Sequence, residues 1–164
     1  FAGAVTDAAR LEQEIQRLAK VVTAKPGSPY DGKKLYAASC AACHRLFEQG
    51  GQIGPDLTAY QRDDLDTMLL NIINPSAEIR EGYENFLLTT KDGRLASGFL
   101  VEQDNRSVVL RGLDGQDMTF IREEIRELKA QGLSLMPGGL LAGYNDAQIR
   151  DLMAYLRSSQ PLNN

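Results

Sequence analysis

Cys40-Ala41-Ala42-Cys43-His44 gathers both cysteines and the only histidine of this 164-residue chain into five positions. Two thiols separated by two residues at a helix end are spaced to reach the two vinyl groups on one porphyrin edge, each forming a thioether. The next residue then lies under the ring, where its imidazole Nε2 can bind iron. This is the attachment pattern of a c-type haem, and Ala41 and Ala42 are small enough to let the backbone approach the macrocycle. The competing chemistries are weaker. A thioredoxin-type dithiol belongs after a strand in a βαβ pattern, which is absent. A zinc site needs a fourth ligand, and the chain has no further Cys or His. A disulfide across two residues is strained.

An iron held on one side by His44 leaves its far side to Met68, Met118, Met136, Met153, a lysine or nothing. Met68 and Met153 fall on apolar helical stripes, where methionine more often fills core space. Met118 falls in a strand-rich stretch. Met136 sits in a loop, and Pro137 stiffens the backbone behind it. Met136 is therefore the favoured second ligand. A thioether opposite an imidazole raises the reduction potential.

Four helices and a strand meander must position these groups. Residues 6–23 carry a stripe of Leu11, Ile15, Leu18 and Val22, with Thr6 or Asp7 as cap and Pro26-Gly27-Ser28-Pro29 as stop. A second helix is expected from Asp31, as its cap, to about Cys40. A third covers 63–73 and ends at Asn74-Pro75. A fourth runs from Asp146 to about Ser158, capped by Asn145. Between the last two, Asp92-Gly93, Asp104-Asn105 and Asp114-Gly115 punctuate runs at 86–90, 94–101, 107–111 and 118–121. This reads as about four antiparallel strands. Residues 122–128 fit either a helical turn or a fifth strand. So few residues bury little core alone, so the meander is expected to lean on the helices. The stretches 48–55 and 132–139 read as loops. The expected fold is mainly α, a helical haem domain with a small antiparallel β-meander inserted at about 86–128. Residues 1–29 form a helix and linker, and 30–164 the haem domain.

Composition narrows the function. With 18 Lys+Arg against 22 Asp+Glu, the net charge is −4, which argues against nucleic acid and fits a partner with a basic face. No apolar run is long enough to span a bilayer. The opening Phe1-Ala2-Gly3-Ala4-Val5 lacks the basic and apolar regions of an intact signal peptide, and the missing initiator Met suggests a processed or excised chain. Asp63-Asp64 and Glu123-Glu124 are neighbours that point apart on a helix, so they read as solvated faces rather than acid/base pairs. Tyr60, Arg62, Arg80 and Tyr83 flank the loops around the ring. They are candidate donors to haem propionates, although such side chains are more often surface or packing residues.

The haem motif on its helix, the loop Gly54-Pro55-Asp56-Leu57, the Met136-Pro137 loop and the closing amphipathic helix together resemble class I cytochrome c. The resemblance is closest to the haem-binding cytochrome c domains of Planctomycetes and Verrucomicrobia, through Leu35–His44, Gly54–Thr58, Ile73–Ser76, Asp92-Gly93-Arg94, Ser134–Pro137 and Asp151–Leu156. It implies that the Pro55 carbonyl accepts the His44 Nδ1 proton, orienting the ring. It also implies that such a domain often ends a larger protein with dehydrogenase-like or repeat domains. The stretch from His44 to Met136 is long for two ligands of one iron. Setting 86–128 aside as an insertion brings it to a plausible length.

The expected function is one-electron transfer by haem c, with Cys40 and Cys43 as attachment points and His44 and Met136 as iron ligands. The chain would serve a redox protein partner or a fused dehydrogenase, and would not itself be an enzyme. The alternatives are a haem-based sensor of small ligands, suggested by the inserted sheet, and a docking module with an accessory haem. Covalent haem is attached outside the cytoplasm, so a periplasmic or other extracytoplasmic location is expected. Haem is also expected to supply much of the core.

Overall fold

The computed structural model describes residues 2–163, with the side chains of 7–163. The expected Thr6 cap and the reading of Phe1-Ala2-Gly3-Ala4-Val5 fall on side chains outside these. Helix α1 spans Ala2–Ala24, so it starts earlier than the periodicity predicts and takes Asp7 inside it. Its stripe is real: Ile15 and Leu18 are buried. Helix α2 spans Pro29–Ser39. Its cap is Ser28 rather than Asp31, because the Ser28 hydroxyl accepts the Asp31 amide and Pro29 holds the first turn, where no amide proton is needed. The Pro-Gly-Ser-Pro stop of one helix is therefore also the start of the next.

Helix α3 spans Leu65–Ile73, with Asp64 accepting the Thr67 amide. Helix α4 spans Asp146–Leu156 and begins with a reciprocal capping box between Asn145 and Gln148. Asn145→Ala should cost about 1 kcal/mol, read as a lowered thermal midpoint.

The helices share one core. Leu18, Tyr36, Leu69, Ile149, Leu152 and Met153 are among its buried members. Helix α2 crosses α4, while α1 lies against α3 and α4. The crossing of α2 and α4 is close because Gly32 carries no side chain: a Cβ there would lie 1.9 Å from the Asp151 carbonyl oxygen. Tyr36 packs on Tyr155 with ring centroids 5.3 Å apart.

The strands correct the expected fold class. The chain is 33% helix and 25% strand, not mainly α. A short ribbon pairs β1 (Arg45–Leu46) with β2 (Gln49–Gly50). A five-stranded antiparallel sheet contains β3 (Glu84–Thr90), β4 (Leu95–Gln103), β5 (Ser107–Arg111), β6 (Asp117–Ile121) and β7 (Ile125–Ser134), in the order β6-β5-β4-β3-β7. The ambiguous stretch resolves into both alternatives, a 3-10 turn at Arg122–Glu124 followed by β7. Strand β7 also consumes Gly132-Leu133-Ser134, expected as loop. Strand β3 sits between two neighbours, and β7 supplies the partners that its second edge of backbone groups requires.

The sheet also leans on the helices less than expected. Leu88, Val108 and Leu110 are wholly buried, packed by Phe86, Ala96, Leu100, Met118, Phe120, Ile125 and Leu128 of the same sheet. Alternation explains this: these strands put one apolar row on a common face, and the sheet covers that row itself. The Asp-Gly turns fall where the sequence puts them, with Gly93 and Gly115 at φ of 90° and 76°. Among the described residues no helix is long and apolar enough to cross a membrane.

Candidate functional site

The pentapeptide begins where α2 ends. Cys40 is the C-cap and donates its amide to the Tyr36 carbonyl. The chain then turns, with the amides of Cys43 and His44 both donating to the Cys40 carbonyl at 3.2 and 2.9 Å. Tyr36 donates its hydroxyl to the His44 carbonyl at 2.7 Å. The helix end, the two thiols and the imidazole are thereby fixed as one unit. Burial, and then the neighbouring Cys43, pushes the Cys40 thiol up to about 11, so the free side chain is a neutral thiol at physiological pH.

The loop after the motif is more specific than its glycine content suggests. The ribbon turn places Phe47 and Glu48 at φ of 51° and 66°, a left-handed pair that a two-residue hairpin demands and that side chains rarely adopt. It folds Gly50, Gly51 and Gly54 back over the motif. The Gly51 amide donates to the Ala41 carbonyl at 2.8 Å, and the Gly54 amide to the Cys43 carbonyl at 2.7 Å. A Cβ on Gly50 would fall 2.0 Å from the His44 carbonyl oxygen. One on Gly54 would fall 2.7 Å from the imidazole Cε1. The sequence offered only loop chemistry here; the signal was the run of glycines directly behind the motif.

His44 Nδ1 lies 2.9 Å from the Pro55 carbonyl oxygen. A carbonyl only accepts, so Nδ1 is the donor, and in the neutral ring this leaves the lone pair on Nε2. The Pro55 loop is held in turn by the Leu57 amide donating to the Arg45 carbonyl.

Cys40, Cys43, His44 and Pro55 line a predominantly apolar cleft with Met136. It holds about 1300 Å³ of empty space, part of it open to solvent. Met136 reaches the cleft directly after β7. Its amide donates to the Ser134 hydroxyl at 3.1 Å, and the Ser134 amide donates to the Ser76 hydroxyl at 3.0 Å. The sheet thus fixes the position of this methionine. Met68 lines the cleft from α3 but is itself core. Met153 is fully buried among the helices, and Met118 packs in the sheet.

Of the four propionate candidates, Tyr60, Arg80 and Tyr83 line the cleft. Arg62 does not. It is buried, stacks 4.9 Å from the centroid of the Phe47 ring, and donates to the carbonyls of Leu156, Ser158 and Thr58. It is a clamp between the loop and the end of α4, and burial lowers its pKa. Asp64 caps α3 and pairs with no acid neighbour. The sequence reading missed Asn71, Phe99 and Leu113, which also line the cleft. Strand alternation sets Phe99 on the face opposite Leu100, which could have marked it.

A porphyrin suits this cleft on chemical grounds. Apolar walls accept the ring, two thiols stand at the cleft wall, and the glycine strip leaves the imidazole room that any side chain at position 54 would take. No curated protein matches the chain. Residues 30–110 match the family model for cytochrome c, a match that ends inside β5 and so stops short of Met136 and α4. Residues 30–110 are thus similar to a cytochrome c domain, of the family that binds haem c covalently and transfers electrons with it.

Proposed function

We propose that this chain is a one-electron carrier in which Cys40 and Cys43 hold haem c by thioethers and His44 and Met136 bind its iron. The observation that carries this reading is the convergence of these four side chains on one apolar cleft, with the imidazole oriented by the Pro55 carbonyl. Bound haem c supplies a reversible one-electron iron couple. The residues of the chain supply the rest. Pro55 fixes the ring of His44 and strengthens it as a donor. The Ser76–Ser134 pair fixes the backbone that presents Met136. The apolar walls exclude water, which limits reorganisation when charge changes.

The choice of Met136 over Met68 rests on local structure, since the family match does not reach Met136. Met136 is on a tethered loop, whereas Met68 fills core between α3 and its neighbours. Met136→Ala in the haem-loaded protein should abolish the weak charge-transfer band of oxidised iron bound to thioether sulfur and lower the reduction potential. Met68→Ala should keep the band and lose stability, by about 2–5 kcal/mol. The reverse pattern would contradict the assignment. Rapid binding of carbon monoxide to the reduced parent would favour a small-ligand sensor instead.

The carrier would work outside the cytoplasm, where haem c is attached, either free or as the terminal part of a redox enzyme. Its acidic balance suits a partner with a basic face, and binding should weaken with salt. The stretches shared with the haem-binding domains of Planctomycetes and Verrucomicrobia support kinship with that group.

A further inference from the structure

The molecule has two hydrophobic cores rather than one. The helices bury Leu18, Leu69, Leu152 and their neighbours. The sheet buries Leu88, Val108 and Leu110. Helices pack on helices and strands on strands, and the two units face each other across the cleft. Two tethers join them, residues 74–83 before β3 and 135–145 after β7. Both are irregular, and Gly82, Gly138 and Gly139 sit in them with open space where a Cβ would be. The Ser134–Ser76 hydrogen bond pins the end of β7 to the first tether, not to a helix.

The sheet nevertheless contributes an apolar wall. Phe99 projects from the face opposite the sheet's own core and lines the cleft. Tyr83 stands edge-on to it with centroids 5.5 Å apart. Leu113, at the β5–β6 turn, also lines the cleft while 57% exposed. The same turn reaches the glycine loop, where a Cβ on Gly115 would lie 3.9 Å from Ile53. None of these side chains belongs to either core cluster; Phe99 is already buried, and Tyr83 and Leu113 keep surface that an occupant of the cleft would cover.

We propose that Tyr83, Phe99 and Leu113 form a second haem-binding wall, and that haem c is the clasp holding the sheet on the helical unit. This rests on the reading of the cleft as the haem site. A ligand in contact with both walls stabilises the joined arrangement over the parted one. Haem attached on the helical side alone, at Cys40 and Cys43, still draws the sheet in through its apolar face. Met136, borne on the end of β7, is carried in by the same movement.

Hydrogen exchange of the haem-loaded protein tests this, comparing the parent with Phe99→Ala/Leu113→Ala. Amides at 74–83 and 135–141 should exchange roughly tenfold faster in the variant, while β3, β4 and β5 keep their protection. Circular dichroism in the haem absorption band should change as the ring loses a wall. Unchanged tethers with unchanged haem dichroism would overturn the proposal. A second comparison uses Cys40→Ala/Cys43→Ala, which cannot attach haem. There the sheet amides should stay within about threefold of the parent while the helices and tethers lose protection. Sheet and helices unfolding together would overturn it. Failure of the underlying reading looks different, because the parent would then carry no covalent haem at all.

Discussion

Gly54→Ala should strip the His44 imidazole of its orientation. The new Cβ would sit 2.7 Å from Cε1 and 2.9 Å from Nδ1, well inside contact distance. The loop cannot retreat freely, because the Gly54 amide is bonded to the Cys43 carbonyl and the next residue provides the carbonyl that receives the imidazole proton. Overpacking of this kind costs about 1–3 kcal/mol. Losing the orienting partner of a metal-bound histidine typically costs about 10- to 100-fold in metal affinity or activity. The expected result is a low yield of haem-loaded protein, with the loaded fraction showing weakened imidazole ligation in its absorption spectrum. Gly138→Ala is the matched control, since nothing lies within 4 Å of a Cβ there. It should leave loading and spectrum unchanged.

Gly32→Ala should be the most damaging substitution away from the cleft. Two effects oppose each other. Alanine is the better helix former by about 1 kcal/mol. Against that, the Cβ would lie 1.9 Å from the Asp151 carbonyl oxygen and 2.9 Å from the Tyr155 Cβ. The obstacle is the backbone of α4, so no rotamer change relieves it, and the helices must move apart. Separation opens the Tyr36–Tyr155 contact and shifts α2, which ends at Cys40. Overpacking at about 3 kcal/mol or more wins over propensity. For a chain of this size the net loss should lower the thermal midpoint by roughly 5 °C or more. A midpoint raised by the substitution would mean that the crossing has slack that the packing does not show.

The chemistry-bearing pentapeptide was legible because its residues are rare here and adjacent. Its meaning needs no tertiary context. Helix α4 was legible because its apolar spacing and the Asn145 cap agree. The hairpin turns were legible because Asp-Gly pairs demand them. The fold class was not. A sequence shows that strands exist but not how many edges each must satisfy, and β7 exists to complete β3. Nor does alternation reveal that the sheet closes over its own core rather than on the helices. The glycine strip at 50–54 reads only as loop in the sequence and is close-packed in the structure, because a Cβ on Gly50 or Gly51 would meet carbonyls of the pentapeptide and one on Gly54 the His44 imidazole. The propionate candidates divided for a similar reason. Arg62 and Tyr60 are two residues apart, yet one spends its donors on carbonyls of α4 and beyond and the other faces the cleft.

The most direct test is the intact mass of protein produced in a host that matures c-type cytochromes, followed by peptide mapping. The account predicts one haem per chain, retained after denaturation and located on the peptide containing Cys40 and Cys43. A mass equal to the bare polypeptide, or a haem that washes out on denaturation, would contradict it.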